Sequence, residues 1–358
     1  MTNTAKIVVN PDRLLKLATW NIEWLNDTPG QGKLKRTDQD YERLRSYAKK
    51  LDADLVALQE VNGAEAARRV FDEQEYSFHF SARANVQNTG FAYRKTLSVT
   101  LYPDIEDLNL EGTLRSGVDL AVHVEGLNLR VLSVHLKSGC FFEPLSTPGR
   151  ACSKLQAQLP ILERWIDARA LEAQPFLVLG DFNRRLNPQD PFWEQIDDSV
   201  PPNADLHLAT ANLRSQCRGA KYPELIDHIV LSRDAAPLLD LGSVQQLLYS
   251  DLDRLNTLSD HCPVAARLRV PANAARGQSP PTPTPQVRGP EAHVSGNEPP
   301  PQLRVKGNIG AARKKLYHLP NCPSYERTVV DEARGERYFS TETEAIAAGW
   351  SKAGSCPD

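Results

Sequence analysis

Leu177-Val-Leu-Gly-Asp181-Phe-Asn183 is an apolar run that ends on a carboxylate and, two residues later, an amide. A short apolar segment bounded by Gly reads as a strand buried on both faces. The same pattern recurs along the first three quarters of the chain. Leu17-Ala-Thr-Trp-Asn21 ends on an amide, Leu55-Val-Ala-Leu-Gln-Glu60 on a carboxylate, and Leu132-Ser-Val-His135 on an imidazole. Leu225-Ile-Asp227-His-Ile-Val carries a carboxylate inside a strand, and Ser259-Asp260-His261-Cys-Pro precedes the last one. Strands are expected over 15–20, 55–59, 91–93, 120–124, 129–134, 176–179, 226–231 and 264–270. Tyr41, Leu44, Tyr47, Ala48 and Leu51 fall on one helical face, as do Leu155, Leu159, Leu162, Trp165 and Ile166. Many strands with few helices point to two packed sheets with helices outside.

Polar groups at the tips of buried strands are costly unless they are paired or bind a metal. One such group is ordinary; six in one domain point to chemistry. Oxygen ligands such as Asn21, Glu60 and Asp260 suit Mg²⁺ or Mn²⁺, with Ca²⁺ a further candidate, better than zinc. Phosphodiester hydrolysis needs charge neutralisation, a base for water, a proton for the leaving oxygen and in-line positioning. Two histidines, an Asp-x-Asn pair and a carboxylate-held metal meet that need. Alternation along the strand sends Asp227 and His228 to opposite faces, so His228 is expected to be structural.

The chain has 42 basic and 45 acidic residues among 358, a net charge of −3. That excludes a chromatin-style grip on DNA through bulk charge and leaves room for an acidic nuclease whose positive charge comes from its metal. With no apolar run of about 18 residues, no transmembrane helix is expected. The stretch 1–11 lacks the apolar core of a signal peptide. Residues 271–302 hold nine prolines among small polar residues and read as an extended, mobile linker. This divides the chain into a catalytic domain, 12–270, the linker, and a small α+β module, 303–358. The six cysteines, at 140, 152, 217, 262, 322 and 356, fit either disulfides or buried free thiols.

Taken together, Trp-Asn21-Ile, Leu-Gln-Glu60-Val, Val-His135-Leu, Gly-Asp181-Phe-Asn183, Ile-Asp227-His-Ile and Ser-Asp260-His261-Cys-Pro-Val resemble the endonuclease/exonuclease/phosphatase superfamily in order and content. That superfamily includes DNase I, AP endonucleases, neutral sphingomyelinases and inositol-phosphate phosphatases. The resemblance covers about 15–270 and implies a DNase I-like four-layer α/β/β/α sandwich. It implies Glu60 and Asn21 at the metal, supported by Asp260. His261 would activate water or bind the scissile phosphate, oriented by Asp227, while Asp181 and Asn183 position the nucleophile and the phosphoryl oxygens.

Two positions separate branches. Gln59-Glu60-Val61-Asn62 differs from the Gln-Glu-Thr-Lys of AP endonucleases, and His135 stands where those enzymes carry tyrosine. The imidazole is similar to that of DNase I and sphingomyelinases, where it assists the leaving group. Phe91-Ala-Tyr-Arg94 and Arg115, the latter expected to contact substrate phosphate, are similar to DNase I as well. DNase I orients its histidine with a glutamate just before that segment; here Asn85-Val-Gln-Asn-Thr-Gly90 offers none. The loop 138–152 is closed by Cys140 and Cys152; a disulfide there would pin it beside the site, worth roughly 2–3 kcal/mol. The loop resembles bacterial exported members, implying an extracytoplasmic location. Cys217 and Cys262 could pair too, or Cys262 could be simply buried.

In the C-terminal module, Lys315-Leu-Tyr-His318-Leu-Pro-Asn-Cys322, Gly335-Glu-Arg-Tyr-Phe339 and Glu344-Ala-Ile-Ala-Ala-Gly-Trp350 resemble the bacterial sunset domain found attached to nucleases. Only His318, Cys322 and Cys356 are available as soft ligands, so a Cys322–Cys356 disulfide is expected in preference to zinc. Arg304, Lys306, Arg313, Lys314 and Lys315 could touch nucleic-acid phosphates or form a solvated face. The chain is therefore expected to be a monomeric, metal-dependent nuclease of low sequence specificity acting on DNA, with RNA a further candidate substrate. The alternatives are a phospholipid or inositol-phosphate phosphodiesterase on the same scaffold and a non-catalytic nucleic-acid-binding protein.

Overall fold

The computed structural model describes residues 13–82, 87–217, 221–250 and 258–270, together with 305–309, 314–319, 322–325, 328–330, 334, 336–339, 342–354 and 356 of the C-terminal part. The chain divides into two compact units, Met1–Ser279 and Pro280–Asp358. The stretch 271–302, expected as a linker, lies outside the described residues, as does 1–11.

In the first unit the described elements run β1 (Arg13–Leu25), α1 (Asp38–Leu51), β2 (Leu55–Val61), α2 (Gly63–Arg68), β3 (Tyr76–Phe80), β4 (Asn88–Arg94) and β5 (Ser98–Leu101). Next come β6 (Val118–Val124), β7 (Leu127–His135), α3 (Arg150–Leu171), β8 (Phe176–Asp181), α4 (Pro191–Ile196), β9 (Leu206–Leu208), β10 (Asp227–Ser232), β11 (Gln245–Gln246) and β12 (Val264–Val270). They build two six-stranded sheets, ordered β11-β12-β1-β2-β4-β3 and β5-β6-β7-β8-β10-β9. Three apolar cores define the layers. Leu15, Leu17, Leu55 and Ala57 of the first sheet meet Leu120, Val131, Leu177 and Leu179 of the second between the sheets. On the outer face of the first sheet, Trp20, Val56 and Leu58 pack against Tyr41, Leu44 and Leu51 of α1. On the outer face of the second, Val134 and Val178 pack against Leu155, Leu159 and Leu162 of α3. The result is an α/β/β/α sandwich whose central strands are apolar on both faces, which explains their continuous apolar runs.

Local signals set the helix starts. Thr37 caps α1 and forms a reciprocal capping box with Asp40. The α3 helix begins at Arg150, so Cys152 sits in its first turn, and the Cys140–Cys152 disulfide ties the preceding loop to the helix. Cys217–Cys262 and Cys322–Cys356 are also bonded. Free thiols are thereby ruled out for all six.

The parallel pair β7–β8 aligns His135 with Asp181, and β10 runs antiparallel to β8 with Asp227 opposite Asp181. Such close strand packing leaves no room beside Gly180, where an added Cβ would run into the Val134 carbonyl oxygen.

The described part of the second unit is a four-stranded sheet ordered Arg337–Phe339, Val305–Ile309, Lys315–His318, Ser351–Lys352, with a helix at Glu342–Ala347. Val305, Tyr317, Phe339, Ala345 and Trp350 form its core. Both His318 ring nitrogens are engaged, with Ser324 at 2.9 Å and Asn308 at 3.0 Å. Arg304 and Arg313 of the basic cluster lie outside the described residues; Lys306 covers the Tyr325 ring at 4.2 Å.

Gly180→Ala is expected to lower stability by about 3 kcal/mol, because backbone rather than a flexible side chain must yield. Urea unfolding followed by tryptophan fluorescence measures this; an unchanged midpoint would contradict the packing.

Candidate active site

Side chains in register on adjacent strands point to the same face. Asp181, on the central strand β8 and 1% exposed, therefore shares its face with His135 and Asp227. Its Oδ2 accepts a hydrogen bond from Asn21 Nδ2 at 3.0 Å, and its Oδ1 accepts one from the Asn183 N–H at 2.8 Å. His135 Nε2 stands 3.5 Å from Asp181 and 3.8 Å from Glu60. Burial pushes the Asp181 carboxyl up to about 7, with the Asp227 charge adding to it and His261, Asn183 and Asn21 working against it.

His261 lies in the turn before β12. Its Nδ1 is 2.7 Å from Asp227 Oδ2, while its Nε2 looks toward Asp181 at 3.9 Å and Asp260 at 3.8 Å. Burial disfavours the imidazolium, but the Asp227 and Asp181 carboxylates outweigh it and hold the histidine well above its ordinary pKa of 6.5. The neighbouring carboxylates thus favour the imidazolium form of His261. His228 faces the other way, between Thr210 Oγ1 at 2.8 Å and the Arg184 carbonyl at 2.9 Å. Burial lowers it to about 4, so it stays neutral as a structural bridge.

A second group of carboxylates gathers where β1 and β2 end. Both strands shift register there, between Asn21 and Leu25 and between Leu58 and Val61. Glu60 takes a left-handed φ of 58°, and its Oε2 accepts from the Trp24 N–H at 3.2 Å. Glu23 was not among the residues singled out in the sequence. Its N–H donates to Asn21 Oδ1 at 2.9 Å, and its Oε2 accepts from the Asp260 N–H at 2.8 Å. Burial first and the Asp260 carboxylate second raise Glu23 to about 7. The signal available was Asn21-Ile-Glu23, since alternate residues of a strand share a face. Behind this bulge Arg36, 1% exposed, donates from Nη2 to the carbonyls of Ile22, Glu23 and Leu258 at 2.8, 2.8 and 2.7 Å. It thereby joins the segments that carry Glu23 and Asp260, and it too was missed in the sequence.

The two groups differ in what they offer a metal. Ligand atoms of Asp181, Asp227 and His261 lie within 4.8 Å of one another. Hydrogen bonds from Asn21, Asn183 and within the Asp227–His261 pair already engage several of them, which suits that trio to holding protons. Burial first and the Asp260 carboxylate second raise Glu23, and Glu60 lines the same groove; hard oxygens with surplus negative charge suit a divalent cation. Asn21 has both ends of its amide engaged and braces one group against the other.

Asn183, at a left-handed φ of 52°, donates from its side chain to the Leu136 carbonyl at 3.1 Å, as does Arg115. Arg115 is nearly buried and borders the site. Arg94 is instead paired with Asp52 and Glu75. In the segment scanned for a glutamate partner to His135, residues 83–86 lie outside the described set. Glu23, Glu60, Asp181, Asp227, Asp260, His135, His261, Asn183 and Arg115 line one open groove of about 660 Å³.

The profile of the endonuclease/exonuclease/phosphatase family matches residues 18–261, and the chain belongs to that family. Among solved structures, truncated Caenorhabditis elegans TDP2 aligns with 72% of this chain and 98% of its own at 18% identity and a TM-score of 0.51. A second C. elegans TDP2 structure aligns with 72% and 75% of the two chains at 17% identity and a TM-score of 0.50. At these identities the likeness extends to the fold alone. No curated protein matches the chain in sequence.

Asp227→Asn removes the charge that favours the imidazolium. In metal-free protein the His261 pKa is expected to fall, read from ¹H–¹⁵N imidazole shifts. An unaltered titration would show that Asp227 does not control this histidine.

Proposed function

We propose that the chain is a divalent-metal-dependent phosphodiesterase, a low-specificity endonuclease that hydrolyses DNA and also RNA. The observation that carries this reading is a histidine whose imidazolium form is favoured by its carboxylate neighbours and a buried carboxyl raised to about 7, His261 and Asp181, set 3.9 Å apart in the groove that Glu23, Glu60 and Asp260 also line. Environments that push two groups apart in proton affinity suit one to donate and the other to accept.

In this reading Glu60, Asp260 and Glu23 hold Mg²⁺ or Mn²⁺, or Ca²⁺, which neutralises charge on the phosphoryl oxygens when bound. Asp181, poised at about 7, takes the proton of the attacking water. The His261 imidazolium, kept in orientation by Asp227, and the Asn183 amide donate to phosphoryl oxygens and stabilise the charge that grows in the transition state. His135, close to both Asp181 and Glu60, serves the leaving oxygen. Arg115 contacts a substrate phosphate at the groove edge. The disulfides support an oxidising, extracytoplasmic location. No described helix is long and apolar enough to cross a membrane.

The test is hydrolysis of plasmid DNA, structured RNA and sphingomyelin with Mg²⁺, Mn²⁺ or EDTA. Nucleic-acid cleavage that EDTA abolishes is expected, with His261→Ala reducing kcat/KM by about 10³-fold. Cleavage of lipid alone would overturn the nuclease reading, and activity in EDTA would overturn the metal-dependent one.

A further inference from the structure

The groove carries more than its reacting groups. Its first-sheet wall presents Trp24, from the irregular end of β1, with the Lys33 ammonium 4.6 Å from the ring centroid. The second-sheet wall presents Tyr222, 48% exposed, from the connection between β9 and β10, together with Arg185 just beyond Asn183. Arg185 stands 3.8 Å from Glu224 and 4.8 Å over the exposed ring of Phe142. Trp24 with Lys33 and Tyr222 with Arg185 thus line the same groove as the catalytic carboxylates and histidines, and Lys221 stands 5.2 Å from the Tyr222 ring. Trp24 is held at a left-handed φ of 54°, a conformation that costs an aromatic residue energy and persists where the surroundings impose it.

Resting on the phosphodiesterase reading, we propose that this groove selects an unpaired polynucleotide strand, with one base stacked on Trp24 and another on Tyr222. The two bases would flank the scissile phosphate. Lys33 and Arg185 offset the neighbouring phosphates. The faces of bases in a duplex are covered by their neighbours, so such rings are open only to bases outside a helix. A duplex binder also neutralises many phosphates over a wide basic face. This chain, at a net charge of −3, pairs a few cations with aromatic rings instead. Stacking accepts every base, which is consistent with low sequence specificity.

The experiment is fluorescence anisotropy in EDTA with a fluorescein-labelled oligothymidine and with a blunt duplex of equal length. The wild type is expected to bind the single strand about 10-fold more tightly than the duplex. Trp24→Ala and Tyr222→Ala should each weaken single-strand binding about 10-fold, and Trp24→Phe and Tyr222→Phe should restore most of it. Thermal unfolding of each variant checks the fold. Equal wild-type affinity for strand and duplex, or folded alanine variants that bind the strand as wild type does, would overturn the proposal. Wild-type hydrolysis of bis(p-nitrophenyl) phosphate with Mn²⁺ separates the two levels. If that diester is cleaved and the strand is not preferred, only the strand proposal falls. If the diester is not cleaved, the phosphodiesterase reading falls with it.

Discussion

A carboxylate buried in the middle of a β-sandwich is the constraint on which this site turns. Asp181 can remain there because donors reach it from several segments: Asn21 from the opposite sheet, the Asn183 N–H from its own chain, and the two histidines nearby. Removing such partners would leave a desolvated acid whose burial costs several kcal/mol. The link from Asn21 to Asp181 joins the two sheets at their catalytic edge. The fold's layers and the site's chemistry therefore share one polar contact.

The sheets themselves are held by apolar packing on three levels, and that rigidity supports irregular backbone at the strand tips. Glu23, Trp24, Glu60 and Asn183 all have positive φ, from 35° to 58°. Each non-glycine residue in such a conformation costs of order 1–3 kcal/mol, less for asparagine. Arg36 holds the backbone in this shape by gathering carbonyls that would otherwise lack donors. The disulfide between Cys217 and Cys262 fastens the groove wall to the turn next to His261.

Much of this was legible before any coordinates. The eight strands and two long helices expected from periodicity are present; the last strand has the expected bounds, β10 is shifted by one residue, and the others run longer at one or both ends. Asp227 and His228 diverge as alternation requires. The short strands β3, β5, β9 and β11 escaped because edge strands of two to five residues carry little periodic signal. The helices α2 and α4, each six residues long, are too short to show an apolar stripe. Glu23 was passed over because it reads as an ordinary polar residue after a strand, and Arg36 because an arginine in a polar loop looks solvated.

The sequence by itself determined the family, the layered fold and the residue types that meet at the strand ends. Those follow from local order: apolar runs set the strands, and the polar residue ending each run is displayed at the edge. Only the tertiary structure decided which proton each group holds and which carboxylates crowd together. Asp181 is raised by burial and by Asp227 on the neighbouring strand, and Glu23 by burial and by Asp260, which lies more than two hundred residues away in the chain. Field and desolvation depend on distances in space, which the order of residues does not contain.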